Sequence, residues 1–153
     1  MEKHEVARLY DTYSRDVYRL ALSYLHSSQD AEDICQSVFL KLLETSIFLL
    51  PQKEKAWLLK CTANACKNQL NSFWRKNREE LDEKMVFSDN RDRELWAVVG
   101  TLPPKYRVVL HLFYYEGYDQ GEIAGILGIS RTAVQTRMQR AREKLGKELT
   151  IYE

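Results

Sequence analysis

Apolar residues recur at steps of three and four along most of this chain, and that spacing limits the fold more than any other feature. Val6, Leu9, Tyr10, Tyr13, Val17, Leu20, Ala21 and Tyr24 share one face of a helix. Ser27 and Ser28 interrupt the pattern and offer an N-cap to a second helix, whose first turn holds Asp30, Glu32 and Asp33. That helix is expected to bury Ala31, Ile34, Cys35, Val38, Phe39, Leu42 and Leu43. After a break around Pro51, the spacing predicts a third helix from about Lys53 to Asn77. Its apolar stripe is Leu59, Ala63, Cys66, Leu70 and Phe73, widened by Trp57 and Cys61. Strand periodicity is weak throughout, so the expected fold class is all-α.

Residues 78–95 are nearly all polar, and residues 79–95 hold seven acids against three basic groups. This stretch reads as a largely solvated acidic linker between domains at 1–78 and 96–153. Beyond it, Leu102-Pro103-Pro104 marks a turn and a helix start, because proline is accepted in the first helical turn. Val108, Val109, Leu112, Phe113 and Tyr115 continue that helix to a stop at Gly117.

Several function classes lack their signatures. The apolar runs are too short to span a bilayer. Met1-Glu2-Lys3-His4-Glu5 is charged and leads into no apolar segment, so no secretory signal is expected. Cys35, Cys61 and Cys66 match no zinc or redox spacing and read as buried small hydrophobes in a reducing cytosol. His4, His26 and His111 are scattered. With no phosphate-cradling loop and no nucleophile elbow, neither an enzyme nor a metal or cofactor site is expected, and the location expected is cytoplasmic.

The segment from Asp119 to Leu145 carries the most specific pattern. Asp119 followed by Glu122 forms a capping-box start, and Ile123, Ala124 and Leu127 face inward. Gly128 suits a left-handed position that ends one helix, and Ser130 can cap the next, in which Val134, Met138, Ala141 and Leu145 recur. Two readings stand: a DNA-binding helix-turn-helix, or an ordinary helical hairpin. Charge favours the first. Residues 130–147 hold Arg131, Arg137, Arg140, Arg142, Lys144 and Lys147 against Glu143 alone, and their exposed face carries Gln135, Thr136 and Gln139. Arginine and glutamine read guanine and adenine edges, and the remaining cations suit phosphates. For Lys144 and Lys147 a simple solvated basic face is the alternative.

A second cationic surface lies on the third helix. Lys60, Asn64, Lys67, Asn71, Arg75 and Arg78 form one stripe, with Asn68 beside it, and no acid occurs from Lys55 to Arg78. An acid-free stripe suits a polyanion. Phe73 and Trp74, at its end, serve either the core or the stacking of unpaired bases. Two such surfaces on one chain imply contact with two DNA patches. A dimeric repressor needs one patch and a dimerisation segment, and no long heptad repeat is present. A stand-alone helix-turn-helix regulator binding duplex DNA as a dimer is the alternative function, and an RNA-binding or polymerase-associated adaptor is a third.

Three segments together resemble the extracytoplasmic-function group of the sigma-70 family. They are Asp30-Ala31-Glu32-Asp33-Ile34-Cys35-Gln36-Ser37-Val38-Phe39, then Ala56-Trp57-Leu58-Leu59-Lys60 continuing to Trp74-Arg75-Lys76, and Leu102-Pro103-Pro104 through Arg140-Ala141-Arg142. The resemblance implies two helical domains, region 2-like and region 4-like, and no enzymatic activity. It implies a factor that binds core RNA polymerase through the clamp and flap of the large subunits, directs it to promoter DNA and helps open the duplex. It also implies an anti-sigma factor as a further partner.

Carried over by position, the polymerase-binding residues are Asp30, Asp33, Gln36, Phe39 and Leu40. Lys60, Asn64, Lys67, Asn68, Asn71, Trp74 and Arg75 would lie along the −10 DNA. Gln135, Thr136, Gln139 and Arg140 would face −35 bases, with Arg131, Arg137 and Arg142 nearer phosphates. Ser37 stands where the family commonly has glutamate, and Gln135 where it commonly has lysine or arginine. The family uses the loop at about 46–55 to capture a flipped −10 base. Here it reads Ser46-Ile47-Phe48-Leu49-Leu50-Pro51-Gln52-Lys53-Glu54-Lys55, unlike the common glycine- and serine-bearing version, which leaves the captured base unassigned.

Overall fold

The computed structural model describes the backbone of residues 1–76 and 99–152, and the side chains of 1–72 and 99–147. Every regular element among these residues is helical, as the apolar spacing requires. The chain divides into two compact units, Met1–Glu83 and Lys84–Glu153. The expected linker at 79–95 lies outside the described residues, as do the side chains of Phe73, Trp74 and Arg75 and the whole of Arg78.

Among its described residues the first unit has three α-helices: α1 (Lys3–Leu25), α2 (Ser28–Leu42) and α3 (Glu54–Lys76), the last entered through a 3-10 turn at Pro51–Lys53. Each helix packs on the other two. The turn between α1 and α2 is tight. His26 takes a left-handed conformation (φ 51°) and donates its N–H to Leu22 O, and the Ser27 hydroxyl accepts the Asp30 N–H at 3.3 Å. The core is built from Val6, Leu9, Val17, Leu20, Ala21 and Tyr24, from Ala31, Ile34, Cys35, Val38, Phe39 and Leu42, and from Leu58, Leu59, Ala63 and Cys66.

Two residues expected in this core are exposed. Tyr10 is 46% exposed, at the rim of the core, where its ring meets Phe39 edge to face (centroids 5.1 Å apart). Leu43 is exposed because α2 ends at Leu42. Conversely, Leu58 and Thr62 are fully buried though neither belongs to the expected stripe. Since α3 packs on both α1 and α2, its buried face is wider than one stripe. Thr62 satisfies its hydroxyl locally by donating to Leu58 O at 2.7 Å.

One buried charge anchors α3. Arg8 of α1 forks onto the Glu54 carboxylate with Nη2···Oε1 2.8 Å and Nη1···Oε2 3.2 Å. Glu54 is nearly fully buried and opens α3, where helix N–H groups favour an anion. The hydrogen bond from Arg8 holds its carboxyl below the ordinary range against the opposing effect of burial, with a further hydrogen bond from Tyr13.

The second unit contains α4 (Pro104–Leu110), α5 (Gln120–Leu127) and α6 (Arg131–Tyr152). Proline at the first position of α4 leaves no N–H to satisfy. The sequence predicts one helix to Gly117. Instead α4 widens into a π-turn at His111–Tyr115, closed by Glu116 N–H to His111 O at 3.1 Å. The turn holds an extra residue; Leu112 remains buried while Tyr114 and Tyr115 emerge. His111 and Tyr115 stack across it at 5.1 Å. Leu102, Tyr106, Val108, Val109, Leu112, Ile123, Ile126, Leu127, Val134, Met138 and Ala141 fill the core. Ile126 was not in the expected inward set, and Ala124 is half-buried. Arg107 is buried beside them and donates Nη1 to Leu102 O at 2.5 Å; burial pushes its pKa down to about 10, which leaves it charged at neutral pH.

Candidate nucleic-acid interface

The helix pair α5–α6 is built by local signals. Asp119 and Glu122 close a reciprocal capping box: Asp119 Oδ1 accepts the Glu122 N–H at 2.8 Å, and Glu122 Oε1 accepts the Asp119 N–H at 3.1 Å. The backbone bond from Glu122 and the nearby Arg131 charge help hold the Asp119 carboxyl below its usual range. Gly128 ends α5 in the left-handed region (φ 68°) and donates its N–H to Ala124 O at 2.9 Å. Nothing lies within 4 Å of where its Cβ would be, so backbone conformation rather than crowding calls for glycine there. Ser130 accepts the Ala133 N–H at 3.0 Å and starts α6.

The exposed side of α6 then has an ordered layout. Val134, Met138 and Ala141 form its buried side, and Gln135, Thr136 and Gln139 are exposed. At 3.6 residues per turn, Arg131 and Arg142 fall along one edge of the exposed face, and Arg140 and the half-buried Arg137 fall on the other side. Lys144 and Lys147 are exposed further along. Thr136 donates its hydroxyl to Thr132 O at 3.1 Å, and Gln139 Nε2 reaches Glu143 Oε1 at 3.4 Å. Arg142 donates Nε–H to the Tyr114 hydroxyl at 2.9 Å. Sequence spacing did not single out Tyr114, whose partner lies 28 residues away.

On α3, Lys60, Asn64 and Asn71 are exposed along one stripe, Lys67 lies half-buried within it, and Asn68 is exposed beside it. The structure therefore brings together five of the seven −10 candidates, the side chains of Trp74 and Arg75 being outside the described set. Cys61 lies beside the stripe; burial raises its thiol pKa, partly offset by Lys60 and by Lys41 of α2. Lys41 thus stands near this cationic surface. Its position on a different helix hid it from periodicity.

The five polymerase-binding candidates do not form one surface. Asp33, Gln36 and Leu40 line a shallow depression of about 280 Å³ together with Ser37, Lys41 and Glu44. Leu40 is 63% exposed there. Phe39 is turned inward, at 4% exposure, and joins α2 to α1 through Tyr10, so in this structure it lies in the core rather than on the depression. Asp30 sits half-buried in the first turn of α2, apart from the depression. Ser37 and Glu44 complete a stripe at helical spacing from Asp33, which the sequence could have yielded. In the 46–50 loop, Ile47, Phe48 and Leu50 are exposed.

These features define a helical DNA-binding protein with one basic helix in each unit. Residues 9–78 match the family description Sigma-70 region 2, and residues 92–145 match Sigma-70, region 4. The Bacillus subtilis RNA polymerase sigma factor SigV is 30% identical over 145 residues, covering 90% of this chain and 87% of that protein. The ECF RNA polymerase sigma factor SigE of Mycolicibacterium smegmatis is 28% identical over 89% of this chain, which spans 58% of its length. Among solved structures, the sigma factor RpoE in complex with the anti-sigma factor NepR from Bartonella quintana superimposes with a TM-score of 0.78 at 17% identity, over 97% of this chain and 99% of that one. CnrH in complex with the cytosolic domain of CnrY gives 0.70 at 24% identity, over 99% and 92%. The chain belongs to the extracytoplasmic-function group of the sigma-70 family of RNA polymerase sigma factors.

Proposed function

We propose that this sigma factor reads the −35 element with α6, lays α3 along the −10 DNA, and docks on the polymerase clamp through the depression on α2. The observation that carries this reading is the layout of α6. Gln135, Thr136 and Gln139 stand between arginines on either side, which suits base edges in a major groove flanked by two phosphate backbones. Arg140 lies next to the amides and reaches a base; Arg131, Arg137 and Arg142 neutralise phosphates. The acid-free stripe of α3 is uniform rather than patterned, which suits a sugar–phosphate path during strand opening.

The working boundaries are 1–78 for polymerase and −10 contacts, 79–95 as linker, and 96–153 for −35 contacts and the flap. The factor acts in the cytoplasm as a non-catalytic subunit, and no helix among the described residues is long and apolar enough to cross a membrane. Leu40, Leu43 and the apolar 46–50 loop leave an exposed apolar surface that an anti-sigma factor would cover. Both sigma regions match in chain order, which supersedes the stand-alone dimeric regulator. The deciding experiment adds the purified chain to core polymerase and maps transcript starts on genomic fragments. New, discrete starts are expected; unchanged initiation overturns the reading.

A further inference from the structure

The structure assigns to Tyr114 the role of a positioning residue for DNA binding: it holds the Arg142 guanidinium, at the edge of α6, ready for a backbone phosphate. This rests on the placement of α6 on duplex DNA proposed above. A long side chain on an open helix face ordinarily samples many rotamers, and fixing one at the moment of binding weakens the complex. Arg142 is already held by two neighbouring aromatic side chains. Its Nε–H is donated to the Tyr114 hydroxyl at 2.9 Å. Its guanidinium carbon lies 5.7 Å from the Tyr114 ring centre and 5.8 Å from that of Phe113, within cation–π range. The two rings meet edge to face at 5.0 Å and 81°, so they form a corner around the cation.

Tyr114 is 63% exposed, and burial does not explain an aromatic at that place. It stands there because of the π-turn at His111–Tyr115, where the extra residue brings Tyr114 out toward α6. Such turns recur at functional sites. With Nε engaged by Tyr114, the two terminal NH2 groups of Arg142 remain to fork onto a phosphate, a geometry lysine cannot reproduce. The same edge of α6 carries Arg131, so the clasp orients the second cation of a line that follows one strand.

The test uses the full chain reconstituted with core polymerase. The probe is a fluorescent duplex recovered by the wild-type holoenzyme from a random-sequence pool. Binding of Tyr114→Phe, Arg142→Ala and the double variant is titrated across salt concentrations, with thermal unfolding of each chain run alongside. Arg142→Ala is expected to weaken binding about tenfold and to reduce the salt slope by about one. Tyr114→Phe keeps the ring and is expected to weaken binding about threefold, with an unchanged unfolding midpoint and an unchanged slope. The double variant should match Arg142→Ala alone. If Arg142→Ala binds like wild type, the phosphate assignment of Arg142 fails and the proposal with it. If Arg142→Ala weakens binding but Tyr114→Phe does not, or the two losses add, Arg142 contacts DNA unaided and the positioning role is overturned.

Discussion

Helices α3 and α6 are nearly the same length, 23 and 22 residues, and each turns an acid-poor polar face outward, yet they are held in place by different means. A charged pair between helices far apart in sequence, Arg8 to Glu54, fixes α3 at its first residue. Backbone geometry and its own neighbours fix α6: the capping box ahead of α5, the left-handed Gly128, the Ser130 cap and the aromatic clasp on Arg142. Their surfaces differ in the same sense. The α3 stripe repeats cation and amide without variation, whereas α6 sets amides between arginines. A uniform face tolerates any sequence and serves to draw a strand along it. A patterned face discriminates, and it needs the more rigid mounting.

If that division holds, the largest separable effect comes from α3. Lys60→Ala, Lys67→Ala and Arg75→Ala together should reduce open-complex formation roughly a hundredfold, the combined loss of three solvent-screened contacts of about 1 kcal/mol each. Duplex binding through α6 should remain. Permanganate reactivity of unpaired thymines measures the first and mobility shift of an upstream duplex the second; equal loss in both would erase the distinction. Arg140→Ala should cost about 1–3 kcal/mol of promoter affinity and relax preference at a single base pair. A selection experiment on randomised −35 sequences shows this directly. A uniform loss over all sequences would move Arg140 into the phosphate set. Gly128→Ala should destabilise the second unit by about 1–2 kcal/mol through its positive φ alone, because no atom obstructs the new methyl group. Gly128→Asn should cost less. Thermal unfolding of the full chain reads both, and a collapse of Gly128→Ala would point to crowding the structure does not show.

The sequence carried the helices and their ends well, because those depend on residues three or four apart. Ser27, Asp119 with Glu122, Gly128 and Ser130 all act where their spacing indicates. Exposed stripes were legible for the same reason, since Lys60, Asn64 and Asn71 lie opposite the buried face of α3. Side choice at a helix rim was not legible. Phe39 and Leu40 are adjacent, and only the packing of α1 decides that the first is inside and the second outside. Contacts across long separations were equally hidden: Arg8 meets Glu54 over 46 residues, and Arg142 meets Tyr114 over 28. The π-turn escaped because apolar spacing cannot register one extra residue when Leu112 stays buried.

The smallest expected effect probes the mounting of α3 by pH. The folded-state pKa of Glu54 is lowered from its ordinary value of 4.5, chiefly by the hydrogen bond from Arg8. A carboxyl with a depressed folded pKa contributes stability that is fully present above the unfolded value. That contribution fades as pH falls through the folded one. The Arg8–Glu54 clasp should therefore act in full at neutral pH and disappear only in acid, below the ordinary carboxylate range. Arg8 is itself largely exposed, which limits the contribution through solvent screening. Glu54→Gln removes the charge at every pH, so its unfolding midpoint should lie below wild type at neutral pH and converge with it in acid. The capping carboxyl of Asp119 is lowered as well, but it belongs to the second unit. Following unfolding by tryptophan fluorescence in a Trp74→Phe, Trp96→Phe background, where Trp57 of α3 is the one tryptophan left, isolates the first unit. A gap that persists unchanged into strong acid would show that Glu54 acts by packing alone, and the contrast between a charged mounting for α3 and a backbone-built one for α6 would lose its basis.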